Sequence, residues 1–185
     1  MPTPLRHAPA FAITVSTAAA APEDIPPMAE LKLFAFDADD LAVLSAHVQD
    51  AVLRVGDIAF LPRERRFAAI ANRFDWADAL ADSKTGKQEY SRRRAALRFE
   101  RVLGAQVQGI DLSRKGTVVC LLALSYEPGE APAGRLTLHF ADGAAIRLHV
   151  ECIEAELKDL GPVWVVASMP KHPTDTDDPA PTRTT

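Results

Sequence analysis

Apolar and polar residues alternate with a period of two along much of this chain, and two stretches change to a helical spacing. Leu31–Phe36 alternates as a short strand. Asp37 then suits a helix N-cap, with Asp40 in the first turn, where carboxylates satisfy unpaired backbone N–H groups. Leu41, Leu44, Val48 and Val52 follow at helical spacing, which predicts an amphipathic helix near 38–51. Asp57–Leu61 and Phe67–Phe74 flank the turn Pro62–Arg66 as a hairpin, and the polar stretch Ala77–Ser91 reads as a loop. Beyond it Ala95, Leu97 and Phe99 face a core, leaving Arg92, Arg94, Arg98 and Glu100 on the opposite face. Thr117–Ser125 is almost continuously apolar, as a central strand buried on both faces would be. Leu136, Leu138 and Phe140 face inward on the next strand, and Ile146, Leu148, Val150 and Cys152 on the last.

The turn between those two strands is set by face matching. A two-residue loop at Asp142-Gly143 would put Leu138 opposite Arg147 and mix buried with exposed positions. A three-residue loop, Asp142-Gly143-Ala144, restores the pattern and pairs His139 with Arg147, Thr137 with His149, and Arg135 with Glu151. A closing helix follows, with Ile153, Leu157 and Leu160 as its stripe, Glu154 and Lys158 as an i,i+4 pair, and Gly161-Pro162 as its stop. The expected class is α+β. It is an antiparallel meander of about seven strands forming a roll or partly open barrel, with one early helix and one C-terminal capping helix. By fold analogy it is a pleckstrin-homology-like roll.

Length and composition agree with one domain. The chain has 185 residues, 48% of them hydrophobic and 25% charged, a mixture usual for soluble proteins. A chain of this size can bury its own core without disulfides or metal. Cys120 and Cys152 sit in apolar runs, which favours reduced, buried thiols. Of 14 prolines, 10 lie before Met28 or after Met169. Residues 1–29 therefore read as a disordered or misassigned N-terminal extension, with a weak signal peptide as the alternative. Residues 30–169 read as one globular domain and 170–185 as a disordered tail. No run approaches the ~18 apolar residues of a membrane span.

Charge is uneven. Between Arg54 and Lys115, 14 Lys and Arg stand against 8 Asp and Glu, a net +6, while the remainder carries 7 against 17, a net −10. A basic middle between acidic flanks bears on association rather than fold.

The segments LAVLSAHVQDAVLRVGDIAFLPRERRFAAIANRFDW (41–76), RRRAALRFERVLGAQVQGID (92–111) and IRLHVECIEAELKDLGPVW (146–164) resemble the alphaproteobacterial family of unknown function DUF2948. The resemblance runs from Leu31 to about Pro173 and places the natural start near Met28. A family of unknown function implies no activity, substrate or catalytic residue.

Three constellations remain. His139 and His149 would share one face of the last hairpin beside Glu151, a conceivable zinc set. The opposing Arg147 works against a cation there, so no metal and no cofactor is expected. Arg63, Arg65 and Arg66 in the hairpin turn, with Arg73, Trp76, Arg92 and Arg94 on the neighbouring strands, suit contact with phosphate or nucleic acid. Glu64, Asp75, Glu89 and Glu100 are interspersed among them. For catalysis, Ser45, His47 and Asp50 lie close in sequence, but Ser45 and His47 diverge on a helix. No nucleophile elbow, phosphate loop or dinucleotide fingerprint is present. The expected function is a non-enzymatic cytoplasmic binding or adaptor module for a protein partner. Binding of a nucleic acid or phosphorylated ligand through the arginine-rich strands, and a small enzyme, are the alternatives.

Overall fold

The structure, a computed structural model, describes residues 6–7, 30–75 and 90–166. Its strands are β1 (Arg6–His7), β2 (Lys32–Ala35), β3 (Ala51–Leu61), β4 (Arg66–Phe74), β5 (Tyr90–Phe99), β6 (Val102–Gln108), β7 (Val118–Pro128), β8 (Gly134–Phe140), β9 (Ala145–Val150) and β10 (Ala155–Val166), with one helix, α1 (Ala38–Val48). All ten strands join in one antiparallel sheet, ordered β1-β6-β9-β8-β7-β3-β4-β5-β10-β2.

Alternation places the core on one face of this sheet. Phe67, Ala69 and Ala71 of β4, Ala95, Leu97 and Phe99 of β5, Leu136, Leu138 and Phe140 of β8, and Ile146, Leu148 and Val150 of β9 are all buried. Phe67 and Phe99 are direct cross-strand partners, their ring centroids 6.1 Å apart. Leu41, Leu44 and Val48 bring α1 into the same cluster. The helix starts where expected, since the Asp40 N–H donates to Asp37 Oδ1 at 2.8 Å. It stops earlier than expected, at Val48, and Val52 belongs to β3.

Helix α1 also supports the sheet where β7 leaves its neighbour. β3 pairs with β7 only over Ala51–Arg54, and the Leu124 N–H beyond that stretch donates to Ser45 Oγ at 2.8 Å. β3 itself carries a wide bulge between Leu53 and Ile58. There Val55 N–H and Gly56 N–H donate to the carbonyls of Thr117 and Lys115, at 2.8 and 2.9 Å. A Cβ at Gly56 would sit 3.0 Å from the Lys115 carbonyl oxygen, so this close approach favours glycine.

Four expectations need correction. Ile153–Gly161 contains no helix; Ala155–Val166 is strand β10, paired with β5 and β2. Ala155, Leu157 and Asp159 point inward with period two, and Gly161 (φ +99°) belongs to a bulge rather than a helix cap. Glu154 pairs with Arg101 and not with Lys158. Second, the sheet gains β1, β6 and β10 over the seven strands expected. Third, the last hairpin turns through Ala141-Asp142-Gly143, one residue earlier than expected, with both Asp142 and Gly143 left-handed. His139 therefore faces Ala145, Thr137 faces Arg147 and Arg135 faces His149. Fourth, β7 is central in order but is not buried on both faces.

Among the described residues no helix is long and apolar enough to cross a membrane. The N-terminal extension enters the description only as Arg6–His7, paired with Val107 and Gln106 of β6. The tail 170–185, Trp76 and most of the loop 77–91 lie outside the described residues.

Candidate functional site: a basic-rimmed apolar face

The arginines singled out from the sequence separate into three environments. Arg65 and Arg66 sit at the hairpin turn, Arg65 in a left-handed conformation. Arg65 is ion-paired with Glu151, and Arg66 contacts Glu100 through Nε at 2.8 Å and Glu64 through Nη1 at 2.6 Å. The Glu100 hydrogen bond raises the pKa of the Arg66 guanidinium. Nearby, Arg98 pairs with Glu156 and Glu100, Arg101 with Glu154, and Lys32 with Glu156. Five cations thus meet five carboxylates at this end of the sheet, and its field is largely cancelled.

Arg73 points inward. It is buried and forks onto Asp159, with Nε and Nη2 each 2.8 Å from a carboxylate oxygen. Its direct cross-strand neighbour, Arg93, is also buried and pairs with Asp75. Asp159 accepts a further hydrogen bond from the Leu31 N–H at 3.1 Å, which ties β2 to the same group. Arg73 therefore does not join an exposed anion site.

Half-buried His47 lies on the α1 side of this group. Burial pushes its imidazole below the ordinary value and Arg73 adds to the effect, while Asp75 and Asp159 oppose it. Above about pH 6.5 the ring is neutral in both folded and unfolded chains, so it contributes no pH dependence there. Below that value the unfolded chain takes up the proton more readily, and stability should fall as pH drops. A His47→Gln variant should show a flatter decline in melting temperature from pH 7 to pH 5 than the wild type. Equal slopes would remove His47 as the cause.

Arg92 and Arg94 lie on the outer face, as the alternation predicts. Arg92 donates to the carbonyls of Asp50 and Asn72, at 3.2 and 3.1 Å, with its guanidinium 5.9 Å from the Phe74 ring centroid. Arg94 is exposed, opposite Asn72, and pairs with no carboxylate among the described residues.

Register carries this row across four strands, Arg94–Asn72–Val52–Cys120, a span of roughly 14 Å at the usual strand spacing. Cys120 has Val118 and Leu122 on the same strand, 56% and 39% exposed, and Arg54 stands opposite Val118. Leu122 is the extra residue of a bulge against β8. Ile70 and Ala96 continue the surface toward exposed Lys158. Burial raises the Cys120 thiol's pKa, so it stays protonated at neutral pH and behaves as a small apolar group. The result is an apolar strip rimmed by Arg54, Arg94 and Lys158, none paired with a carboxylate among the described residues. The sequence signal for it was the apolar run of β7, which the structure leaves exposed on one side.

The other constellations do not assemble. His149 faces Arg135, four residues from His139 along β8, so the two imidazoles are separated by roughly 13 Å along the strand. Among the described residues no three His, Cys, Asp or Glu side chains converge as a metal site. Ser45 is engaged by the Leu124 N–H. A different serine, Ser125, hydrogen-bonds His139 Nε2 at 2.7 Å on the exposed sheet face, a contact the sequence reading missed. No carboxylate among the described residues hydrogen-bonds His139 to orient it.

Residues 31–172 match the family described as Protein of unknown function (DUF2948). The chain belongs to this family. The match spans every element from β2 to β10, so the outer face and the buried arginines both lie within the family's domain. No curated protein and no solved structure matches the chain.

Proposed function

We propose that this chain is a non-enzymatic cytoplasmic binding module for a protein partner, docked on the outer face of β7, β3, β4 and β5. The observation that carries the reading is the exposure of Val118 and Leu122 within a strip edged by Arg54, Arg94 and Lys158. Contiguous exposed apolar surface with a polar rim is the usual signature of protein contact. The partner segment would present apolar side chains flanked by carboxylates.

A second reading is binding of a nucleic acid or phosphorylated ligand through the arginine-rich turn and strands, with Arg65, Arg66, Arg92 and Arg94 as the cations that face outward. It is weakened at the hairpin turn, because a polyanion would have to displace Glu64, Glu100 and Glu151 from Arg65 and Arg66. The pleckstrin-homology-like roll is the architectural part of the proposal, and β10 stands where that analogy expects a capping helix.

The test compares two double variants in affinity capture from the native cell extract. Val118→Glu with Leu122→Glu should abolish capture of the wild-type partner, whereas Arg65→Glu with Arg66→Glu should retain it. The reverse pattern would favour the anion reading.

A further inference from the structure

Beyond the apolar strip, the outer face carries a polar patch on β8, β9 and β6. We propose that Arg147, at its centre, anchors a binding site for a phosphomonoester. The site draws on neither the strip nor its rim cations, and on none of the arginines at the hairpin turn. Register sets Ser125, Thr137, Arg147 and Gln106 in one row across β7, β8, β9 and β6. Thr137 and Gln106 therefore flank Arg147 at one strand spacing, about 4.8 Å, on either side. Ser125 lies about 10 Å off at the backbone, a gap that an arginine side chain and one phosphate together bridge.

Arg147 Nε is shielded from solvent and has no hydrogen-bond acceptor, and among the described residues no carboxylate pairs with its guanidinium. Arg98 Nε is likewise shielded, but Glu100 lies 3.2 Å from it. Arg135, the nearest other arginine on β8, is ion-paired with Glu127. A shielded guanidinium donor without an acceptor leaves its desolvation cost unrecovered. An oxyanion that meets the planar fork at Nε and Nη2 removes that cost. The side chain swings outward to make the contact, because Nε is closed to solvent where it stands.

The neighbours decide which anion fits. Thr137 points outward between the inward Leu136 and Leu138, yet it is only 4% exposed, so adjoining side chains close over it and the floor of the patch is poorly hydrated. Ser125 Oγ lies 2.7 Å from His139 Nε2, and with the ring nitrogen donating, the serine proton is left for the anion. The Gln106 amide adds donors from the opposite side of Arg147. Donors from several directions suit a tetrahedral phosphate, whereas a planar carboxylate is satisfied by the fork alone. A Cβ at Gly104, opposite His149, would meet nothing within 4 Å, which leaves room for the group esterified to the phosphate.

Titration of the isotope-labelled full chain with glycerol phosphate, followed by NMR at neutral pH with ionic strength held by chloride, tests the proposal. The Arg147 Nε–H signal should shift saturably at millimolar ligand or below, and the Ser125 and Gln106 amides should move with it. Arg147→Gln should weaken binding at least about tenfold, and Arg147→Lys, which keeps the charge and loses the fork, should weaken it as well. Arg94→Gln removes an exposed arginine elsewhere on the same face and should change the affinity by less than about twofold. Inorganic phosphate should bind more weakly than the ester. Because Arg147 holds no carboxylate among the described residues, circular dichroism of its variants should match the wild type. No saturable shift at tens of millimolar, binding undiminished in Arg147→Gln, an equal loss in Arg94→Gln, or inorganic phosphate binding as tightly as the ester would overturn the proposal.

Discussion

Replacing Asp159 with leucine should destabilise the protein by roughly 3–5 kcal/mol, measured by urea unfolding at neutral pH. The carboxylate is almost fully buried and accepts both arms of the Arg73 fork as well as the Leu31 N–H. Without it, Arg73 stays desolvated directly opposite the buried Arg93, with Asp75 3.9 Å from its Nη2 and already engaged by Arg93. The two guanidiniums would then lie across the strand pair without the carboxylate that Arg73 forks onto, which leaves its charge poorly compensated in the interior. The double variant Arg73→Met/Asp159→Leu should recover much of the loss, because deleting a buried pair together removes its desolvation cost as well. A loss below about 1 kcal/mol for Asp159→Leu would mean that Arg73 is hydrated in solution.

A second large effect is expected at Phe99. Its ring is fully buried against Phe67, and Phe99→Ala should cost roughly 3–5 kcal/mol through lost transfer energy and a cavity. Arg98, the preceding residue, holds ion pairs on the outer face with its side chain 43% exposed. Arg98→Ala should cost about 1 kcal/mol or less. Comparable losses at the two positions would contradict the inward–outward alternation of β5.

That alternation is also what made much of the fold legible. In β4, β5, β8 and β9 the inward positions are mostly apolar, so period two appears directly in the letters. β10 hides it because an inward position is Asp159, whose partner Arg73 lies 86 residues earlier. Leu157 and Leu160 then mimic a helical stripe. β6 is hard to read in the letters because Gly104 interrupts its apolar alternation, at the point where its register against β9 shifts. The hairpin register slipped by two residues between expectation and structure. Face matching cannot detect such a slip, since it leaves every side chain on the same face.

The candidate site was legible in part. The placement of Arg92 and Arg94 followed from the strand pattern. Adjacent strand residues alternate, so Arg73 falls on the face opposite Asn72, but the carboxylate that holds it inside, Asp159, is too distant in sequence to be read. The apolar strip of β7 is visible as a run of letters, which suits a doubly buried strand, yet the structure leaves one side of it exposed. Sequence records that a residue is apolar and leaves open whether another strand, a helix or a partner covers it.

The most direct measurement of the central claim is the salt dependence of partner retention on the immobilised wild-type chain between 50 and 200 mM salt. An apolar contact steered by three rim cations should weaken by less than about tenfold over that range. A loss of about a thousandfold or more would mean that multiple phosphates are being neutralised, and protein docking on the β7–β3 face would be the wrong account.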